Sequence, residues 1–257
     1  MYEIVTDFLQ GLLNSCRIDL IIKTAFVEPK LYRLLTKIIK YNFFLHWFPL
    51  ILVQLIDYFF KIALFGFLYY ANYPINIFSA LFHLLHYMDL VNMICTKTSK
   101  TTNSMAALDT ISLALTMTIY QLVMYLTTEL IKFIFHDRLY IIALCLNFFI
   151  LTMYHAFYCY NNLWQYKKID MFYRIDMHEK LWPYYLGYST IATFIYLCMR
   201  RSYVLGFYNL YMAVLISLPF LTTIKYPPKQ NSYPAINLSI FSYITGCILA
   251  ISKYIIR

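Results

Sequence analysis

Long apolar runs separated by short polar segments occupy most of the chain. A helix needs roughly 20 apolar residues to cross a bilayer, and the runs do not alternate as barrel strands do. We therefore predict three helical hairpins followed by a C-terminal apolar helix. The runs are 43–60 with 62–84, 108–134 with 139–158, 184–199 with 203–224, and finally 236–251.

Composition agrees with this pattern. Hydrophobic residues make up 61% of the chain and charged residues 13%, and mean hydropathy is +0.60. A soluble domain carries about twice that share of charge. The sequence thus predicts an all-α polytopic membrane protein. The first twenty residues contain Glu3, Asp7, Arg17 and Asp19, which argues against a signal peptide.

Residues 1–41 are more polar and are predicted to form a cytosolic amphipathic region, with 42–257 forming the membrane domain. Glu28-Pro29 marks a helix start, because proline suits the first helical turn. Two interpretations of this helix stay open: it lies in the interface of an anionic leaflet, or it packs against the base of the membrane domain. Its apolar side comprises Leu31, Leu34, Leu35, Ile38 and Ile39, and its basic side Lys30, Arg33, Lys37 and Lys40.

Lysine and arginine cluster before Phe43, in 97–100, in a loop at 161–182 and in 225–229. Basic loops stay cytosolic, and hairpins place all of these clusters on one side, which predicts a cytosolic N-terminus. Arg200 and Arg201 do not fit, since they fall where the third hairpin should reach the far side. Segments that only partly penetrate the bilayer would remove the conflict.

Candidate chemistry is sparse. The six cysteines are scattered without paired spacing, and no nucleophile arrangement or nucleotide-binding motif is visible. His83, His86 and Asp89 share a helical face, but that spacing is a weak metal signal. We expect no enzyme activity, no cofactor, no metal and no nucleic-acid partner, since the net charge of +9 is spread over loops that flank apolar runs.

The segment from Tyr158 to Tyr188 carries the most specific pattern, because it combines a Tyr-Cys pair, a tryptophan, a mixed-charge helix and a Trp-Pro-Tyr-Tyr-x-Gly motif. It resembles the etoposide-induced protein 2.4 family. A weaker resemblance extends over residues 28–250, and Leu186 departs from the family's aromatic residue. The residues that carry the resemblance include Trp164, Lys167, Arg174, Trp182, Pro183, Tyr184, Tyr185 and Gly187.

The resemblance implies an endoplasmic-reticulum membrane protein that supports macroautophagy, in particular the progression of early autophagic membranes. The lipid bilayer, anionic lipid and an unknown cytosolic protein are the expected partners. The signature residues have two interpretations: an aromatic belt at the membrane interface, or a docking face for a partner or lipid. Likewise, residues 167–180 form either a solvated helix or a contact helix, in which Asp170 and Arg174 are spaced to pair.

The same superfamily is similar to bacterial CysZ proteins, which have partly penetrating helices and are linked to sulfate uptake. The alternative function is therefore a sulfate or anion permease. Arg200 and Arg201 are the residues that could line an anion path.

Overall fold

The computed structural model describes residues 2–60, 119–135 except 121, 125 and 132, 140–167, 169–198, 202–222, 233–238, 240–241 and 243–248. Within these ranges the fold is all-helical, as the sequence predicted. Residues 243–248 are also helical. The helices are α1 Tyr2–Ser15, α2 Ile18–Val27, α3 Pro29–Asn42, a π-helical turn Phe43–Trp47, α4 Phe48–Phe60, α5 Leu122–Ile131, α6 Tyr140–Tyr166, α7 Met171–Lys180, α8 Trp182–Leu197 and α9 Ser202–Leu221.

The chain divides into two compact units that each draw on separated parts of the sequence. Unit 1 comprises Met1–Asn14, Ser99–Thr193 and Ile224–Arg257, and unit 2 comprises Ser15–Thr98 and Phe194–Thr223. The first residues of the chain therefore belong to the same unit as the signature segment, although more than a hundred residues separate them.

Unit 2 is built around α3. Pro29 occupies its first turn, which confirms the predicted helix start, and Leu31, Leu34 and Ile38 are buried. This apolar side packs against α2 and α9. The helix then continues through the π-helical turn into α4 without a break, and the turn is held against α9 by Trp47, whose ring lies 5.0 Å from that of Phe207.

Helix α6 is the central element of unit 1. Its segment Ile141–Trp164 is long and apolar enough to cross a membrane, judged by length and composition alone. The two halves of the helix differ. The second half, from Leu151 to Trp164, is mostly buried, whereas the first half exposes apolar side chains to the surroundings; these are Ile141, Ile142, Leu144 and Leu146.

Hydrogen bonds join α6 to α8 at successive levels. The Ser189 hydroxyl donates to the Thr152 carbonyl at 2.6 Å, and His155 Nδ1 lies 2.9 Å from Thr193 Oγ1. Small residues with hydroxyl groups are typical of helix pairs that pack closely within membranes. Polar side chains therefore form one part of the α6–α8 contact, while long apolar side chains are exposed on the first half of α6.

Helices α8 and α9 begin and end within a few residues of the two runs predicted for the third hairpin. Helix α5 and the start of α6 match the second pair. Asp57 lies within helix α4. The second run of the first hairpin, 62–84, and the candidate metal ligands at 83, 86 and 89 lie outside the described residues.

Candidate functional site

The signature segment folds into a helical corner within unit 1. Helix α6 continues past Asn161 to Tyr166, and α7 begins after a short link at residues 167–170. The Asp170 carboxylate accepts a hydrogen bond from the Phe172 backbone N–H at 3.0 Å. This satisfies one of the free donors at the helix start. After Leu181 the chain enters α8, so three helices meet within the signature.

Buried aromatic rings fill the space between these three helices. Trp164 has no exposed surface, and its ring centroid lies 5.7 Å from Tyr160 and 5.8 Å from Tyr185. His178 of α7 lies 4.8 Å from Tyr185 and 5.3 Å from Phe157. Most pairs meet edge to face or tilted, the geometries that aromatic rings favour. We call Phe157, Tyr160, Trp164, His178 and Tyr185 the aromatic core.

Arg174 is a buried cation at the edge of this core, with 1% of its surface exposed. Its Nε donates to the Ile169 carbonyl at 2.7 Å, and Nη1 donates to Asn161 Oδ1 at 2.9 Å. Desolvation lowers the pKa of Arg174 to about 10, an effect that the Asp170 carboxylate opposes. The guanidinium therefore stays charged at neutral pH and ties α7 to the link and to α6.

The Trp-Pro-Tyr-Tyr-x-Gly motif contacts α1. A Cβ atom on Gly187 would lie 2.0 Å from the Phe8 carbonyl oxygen, and one on Gly11 would lie 2.0 Å from the Tyr184 carbonyl oxygen. The two helix backbones touch because both positions lack a side chain. The Asn14 amide donates to the Tyr184 hydroxyl at 3.1 Å, and that hydroxyl lies 2.9 Å from the Tyr160 hydroxyl. Pro183 is buried in the first turn of α8.

Trp182 and Glu179 hold the extended segment 233–238. The Trp182 indole N–H donates to the Pro234 carbonyl at 3.2 Å. The Glu179 carbonyl accepts from the Ile236 N–H at 3.2 Å, and its carboxylate accepts from the Leu238 N–H. A side chain and a backbone carbonyl from α7 thus hold the non-helical residues that precede the last described helical segment. We call residues 233–238 the C-terminal strap.

Lys167, the remaining residue of the signature, is exposed. Arg200 and Arg201 lie outside the described residues. Among the residues that the structure describes, no cluster of histidine, cysteine, aspartate or glutamate could hold a metal ion. Most of the signature therefore builds the interior of unit 1, and partner docking through the signature stays a prediction that concerns its outer residues.

Three residues of this corner were not singled out by the sequence analysis: Gly11, Asn14 and Asn161. Gly11 carried one usable signal, since a glycine within an otherwise regular helix often marks a close backbone contact. The others carried none, because their partners lie far away in the sequence or on a different helix.

His178 makes the stability of this corner depend on pH. Burial lowers its pKa from 6.5 to about 3, although the nearby Met153 carbonyl opposes the shift. Neither ring nitrogen forms a well-aligned hydrogen bond within the described part of the chain. Below pH 6.5 the His178 imidazole takes up a proton in the unfolded chain, whereas in the folded chain it stays neutral. The free energy of unfolding therefore decreases as the pH is lowered. The expected loss is about 2 kcal/mol at pH 5 relative to a non-titrating side chain.

The measurement is the unfolding free energy in detergent micelles at pH 7 and pH 5, for the wild type and for His178→Leu. The variant removes one titrating group, so the fall in stability should be smaller by that amount. Equal pH dependence in both proteins would mean that the folded state also protonates His178.

Taken together, these features define a class: an all-helical protein with a membrane-length helix, apolar outer surfaces and a helical corner closed by aromatic rings. No family model matches the chain, and no solved structure matches it. The chain is 42% identical over 244 residues to the uncharacterized protein L211 of Acanthamoeba polyphaga mimivirus, covering 95% of this chain and 93% of that protein. The chain belongs to the same family as that mimivirus protein.

Proposed function

We propose that this protein is a multi-pass membrane protein of the endoplasmic reticulum. In this proposal its N-terminus is cytosolic, and the protein supports macroautophagy by shaping membranes or docking a protein partner during the progression of early autophagic membranes. It acts without catalysis.

The observation that carries the membrane assignment is the distribution of apolar side chains in unit 1. Phe133 and Ile141, at neighbouring ends of the second helix pair, are 83% and 74% exposed. Helix α5 exposes Leu122, Leu126 and Leu130 along one side while Val123, Met124 and Thr128 are buried. An exposed apolar stripe opposite the packed side is unfavourable in water. Large exposed apolar patches mark contacts with lipid or with a protein partner.

The hydrogen bonds of the C-terminal strap support the proposed topology. Glu179 contacts both Ile236 and Leu238, so the end of α7 and the strap lie on the same side of any membrane that the protein spans. The sequence that precedes the strap and the sequence around α7 are both rich in lysine and arginine. The positive-inside rule assigns both to the cytosol.

The outer side of α7 offers a surface for a partner. Phe172 and Tyr173 are 76% and 43% exposed at the first turn of the helix, and Lys167 is exposed in the link before it. Aromatic side chains are enriched where proteins bind one another. We propose that Phe172 and Tyr173 contact the partner while the aromatic core behind them keeps α7 in place.

The role in autophagy rests on the resemblance of residues 158–188 to the etoposide-induced protein 2.4 family. The test is to delete the gene in cells that normally express it and to measure autophagic flux. We expect slower progression of early autophagic membranes, restored by the wild-type protein and not by a Phe172→Ser, Tyr173→Ser variant. Lys180→Gln, an exposed change on the same helix, is the matched control and should restore flux.

Normal flux after deletion would contradict this proposal and favour the alternative, a sulfate or anion permease. That alternative is motivated by Arg200 and Arg201, which fall in the sequence between the end of α8 at Leu197 and the start of α9 at Ser202. Its own readout is sulfate and chloride flux into liposomes that contain the purified protein. The permease would lose this flux when both arginines are neutralised.

A further inference from the structure

The basic side of α3 is a surface that the buried packing of unit 2 does not use. Lys30, Arg33, Lys37 and Lys40 are all exposed. Their spacing of three, four and three residues puts them on one side of the helix, away from the buried Leu31, Leu34 and Ile38. We call these four residues the cationic stripe.

The stripe lacks a paired carboxylate among the residues that the structure describes. Helix α3 contains no aspartate or glutamate, and the stripe residues form no ion pair with any residue that the structure describes. Lys37 of the stripe contacts an aromatic ring, since its ammonium lies 5.8 Å from the centre of the Tyr41 ring. Exposed lysines on other helices differ, since Lys23 pairs with Asp19 at 3.5 Å and Lys180 with Asp176 at 2.7 Å.

Exposed apolar side chains lie on the elements next to α3. Helix α2, which packs against α3, exposes Ile18, Ile22 and Phe26 along one side. Phe43 and Phe44, just after α3, are also exposed. A surface that combines uncompensated cations with exposed apolar side chains is typical of protein segments that sit on charged membranes.

The helix continues from the stripe directly into an apolar segment. Residues 29–60 form one uninterrupted helical run, and α4 exposes Phe48, Ile51, Leu52 and Leu55. With a rise of 1.5 Å per residue, Lys37 and Lys40 lie within about 10 Å of Phe43 along the helix. If α4 enters a bilayer, these two cations lie at the depth of the lipid phosphates.

We propose that the cationic stripe of α3 binds the headgroups of anionic phospholipids in the leaflet that α4 enters. This inference rests on the proposed membrane assignment and adds a specific ligand to it: a phosphate-bearing, net negative lipid, held by Lys37 and Lys40 most closely and by Lys30 and Arg33 at longer range. The buried side of α3 holds the helix in unit 2, so the stripe is presented to the lipid by a helix that is already folded.

The test uses the full-length protein in nanodiscs of phosphatidylcholine that contain a minor fraction of a lipid with two photoactivatable groups, one on the headgroup and one on the acyl chain. That lipid is either phosphatidylserine or phosphatidylcholine. Crosslinked peptides are mapped by mass spectrometry. We expect headgroup crosslinks on α3 to be well over tenfold more abundant with phosphatidylserine, and to decline as salt is added, because salt screens exposed charges.

Charge-neutralising variants sharpen the test. Each cation near an anionic surface is worth about a fivefold change in binding, so Lys37→Gln with Lys40→Gln should reduce phosphatidylserine crosslinks by more than tenfold. Lys37→Arg with Lys40→Arg should retain them. Lys23→Gln with Lys180→Gln removes the same amount of charge from paired lysines and is the matched control, which should crosslink like the wild type.

Equal crosslinking to the two lipids would overturn the proposal and make an acidic protein segment the better candidate. Competition by inorganic phosphate, at a concentration where chloride of equal ionic strength has no effect, would also overturn it, since the stripe would then bind the free ion. Acyl-chain crosslinks to α4–α6 report insertion independently of headgroup charge. Their absence with both lipids would refute the membrane assignment itself, whereas their presence without headgroup preference would refute only the lipid specificity.

Discussion

Gly187→Ala is expected to separate α1 from α8 and to cost the protein about 3 kcal/mol of stability or more. The added methyl group would lie 2.0 Å from the Phe8 carbonyl oxygen and 2.8 Å from its carbon. Both are backbone atoms, which cannot move aside by changing a rotamer. Overpacking of this kind usually costs 1–3 kcal/mol, and more where the neighbours are rigid. The measurements are chemical unfolding in detergent and hydrogen exchange of residues 2–15.

The matched control is Gly246→Ala. A methyl group at Gly246 meets no atom of the described residues within 4 Å, and the residue lies in a helical segment, where alanine is favoured over glycine by roughly 0.5–1 kcal/mol. The control should therefore be neutral or slightly more stable. Unchanged stability and unchanged exchange of α1 in Gly187→Ala would show that the two helices do not approach each other this closely.

Arg174→Met is expected to destabilise the helical corner by about 3 kcal/mol. The substitution keeps an unbranched apolar stem but leaves Asn161 Oδ1 and the Ile169 carbonyl without the donors that reach them at 2.9 and 2.7 Å. Hydrogen bonds from a charged donor are worth roughly 1.5–3 kcal/mol each, and a buried acceptor without a partner adds a penalty. Unfolding in detergent measures the loss, and the exposed Lys180→Met should change little.

A double variant separates the hydrogen bond from the loss of packing. Asn161→Leu removes the acceptor, so Arg174→Met with Asn161→Leu should cost clearly less than the sum of the single substitutions. Additive costs would mean that the bond from Arg174 to Asn161 contributes nothing measurable and that Arg174 stabilises the corner through packing and its bond to the Ile169 carbonyl.

Local patterns predicted much of the helical structure. The proline after Glu28 placed the start of α3, and the apolar spacing placed its buried side at Leu31, Leu34 and Ile38, because both signals act within one helix. Ile39, which was predicted on the same side, is exposed. Helices α8 and α9 were located by their apolar length. Two interpretations of α3 were open: packing against the rest of the protein, or lying in the interface of an anionic leaflet. The apolar side packs within unit 2 and the basic side is exposed, so the two are compatible.

The candidate site was less predictable because its contacts join distant parts of the chain. Asp170 and Arg174 have helical spacing for an ion pair, yet the Asp170 side chain caps α7 and the Arg174 guanidinium reaches back to α6. Tryptophan is a residue type that is common at membrane interfaces, but the Trp182 indole donates a hydrogen bond to the C-terminal strap. The α6 partner of Arg174 and the strap partner of Trp182 lie outside a window of neighbouring residues. Gly11 signals a close contact on α1, but nothing in the sequence identifies α8 as the helix that it contacts.

Unit 1 combines segments from the beginning, the middle and the end of the chain, and this affects its folding during synthesis. Asn14 and Tyr184, which bond across the α1–α8 contact, are 170 positions apart. At a synthesis rate of roughly 5–20 residues per second, α1 waits roughly 10–30 s for α8 to leave the ribosome. The strap emerges later still. The ribosome therefore releases the apolar side of α1 well before its binding surface exists, so during this interval α1 needs a chaperone or the membrane surface to cover it.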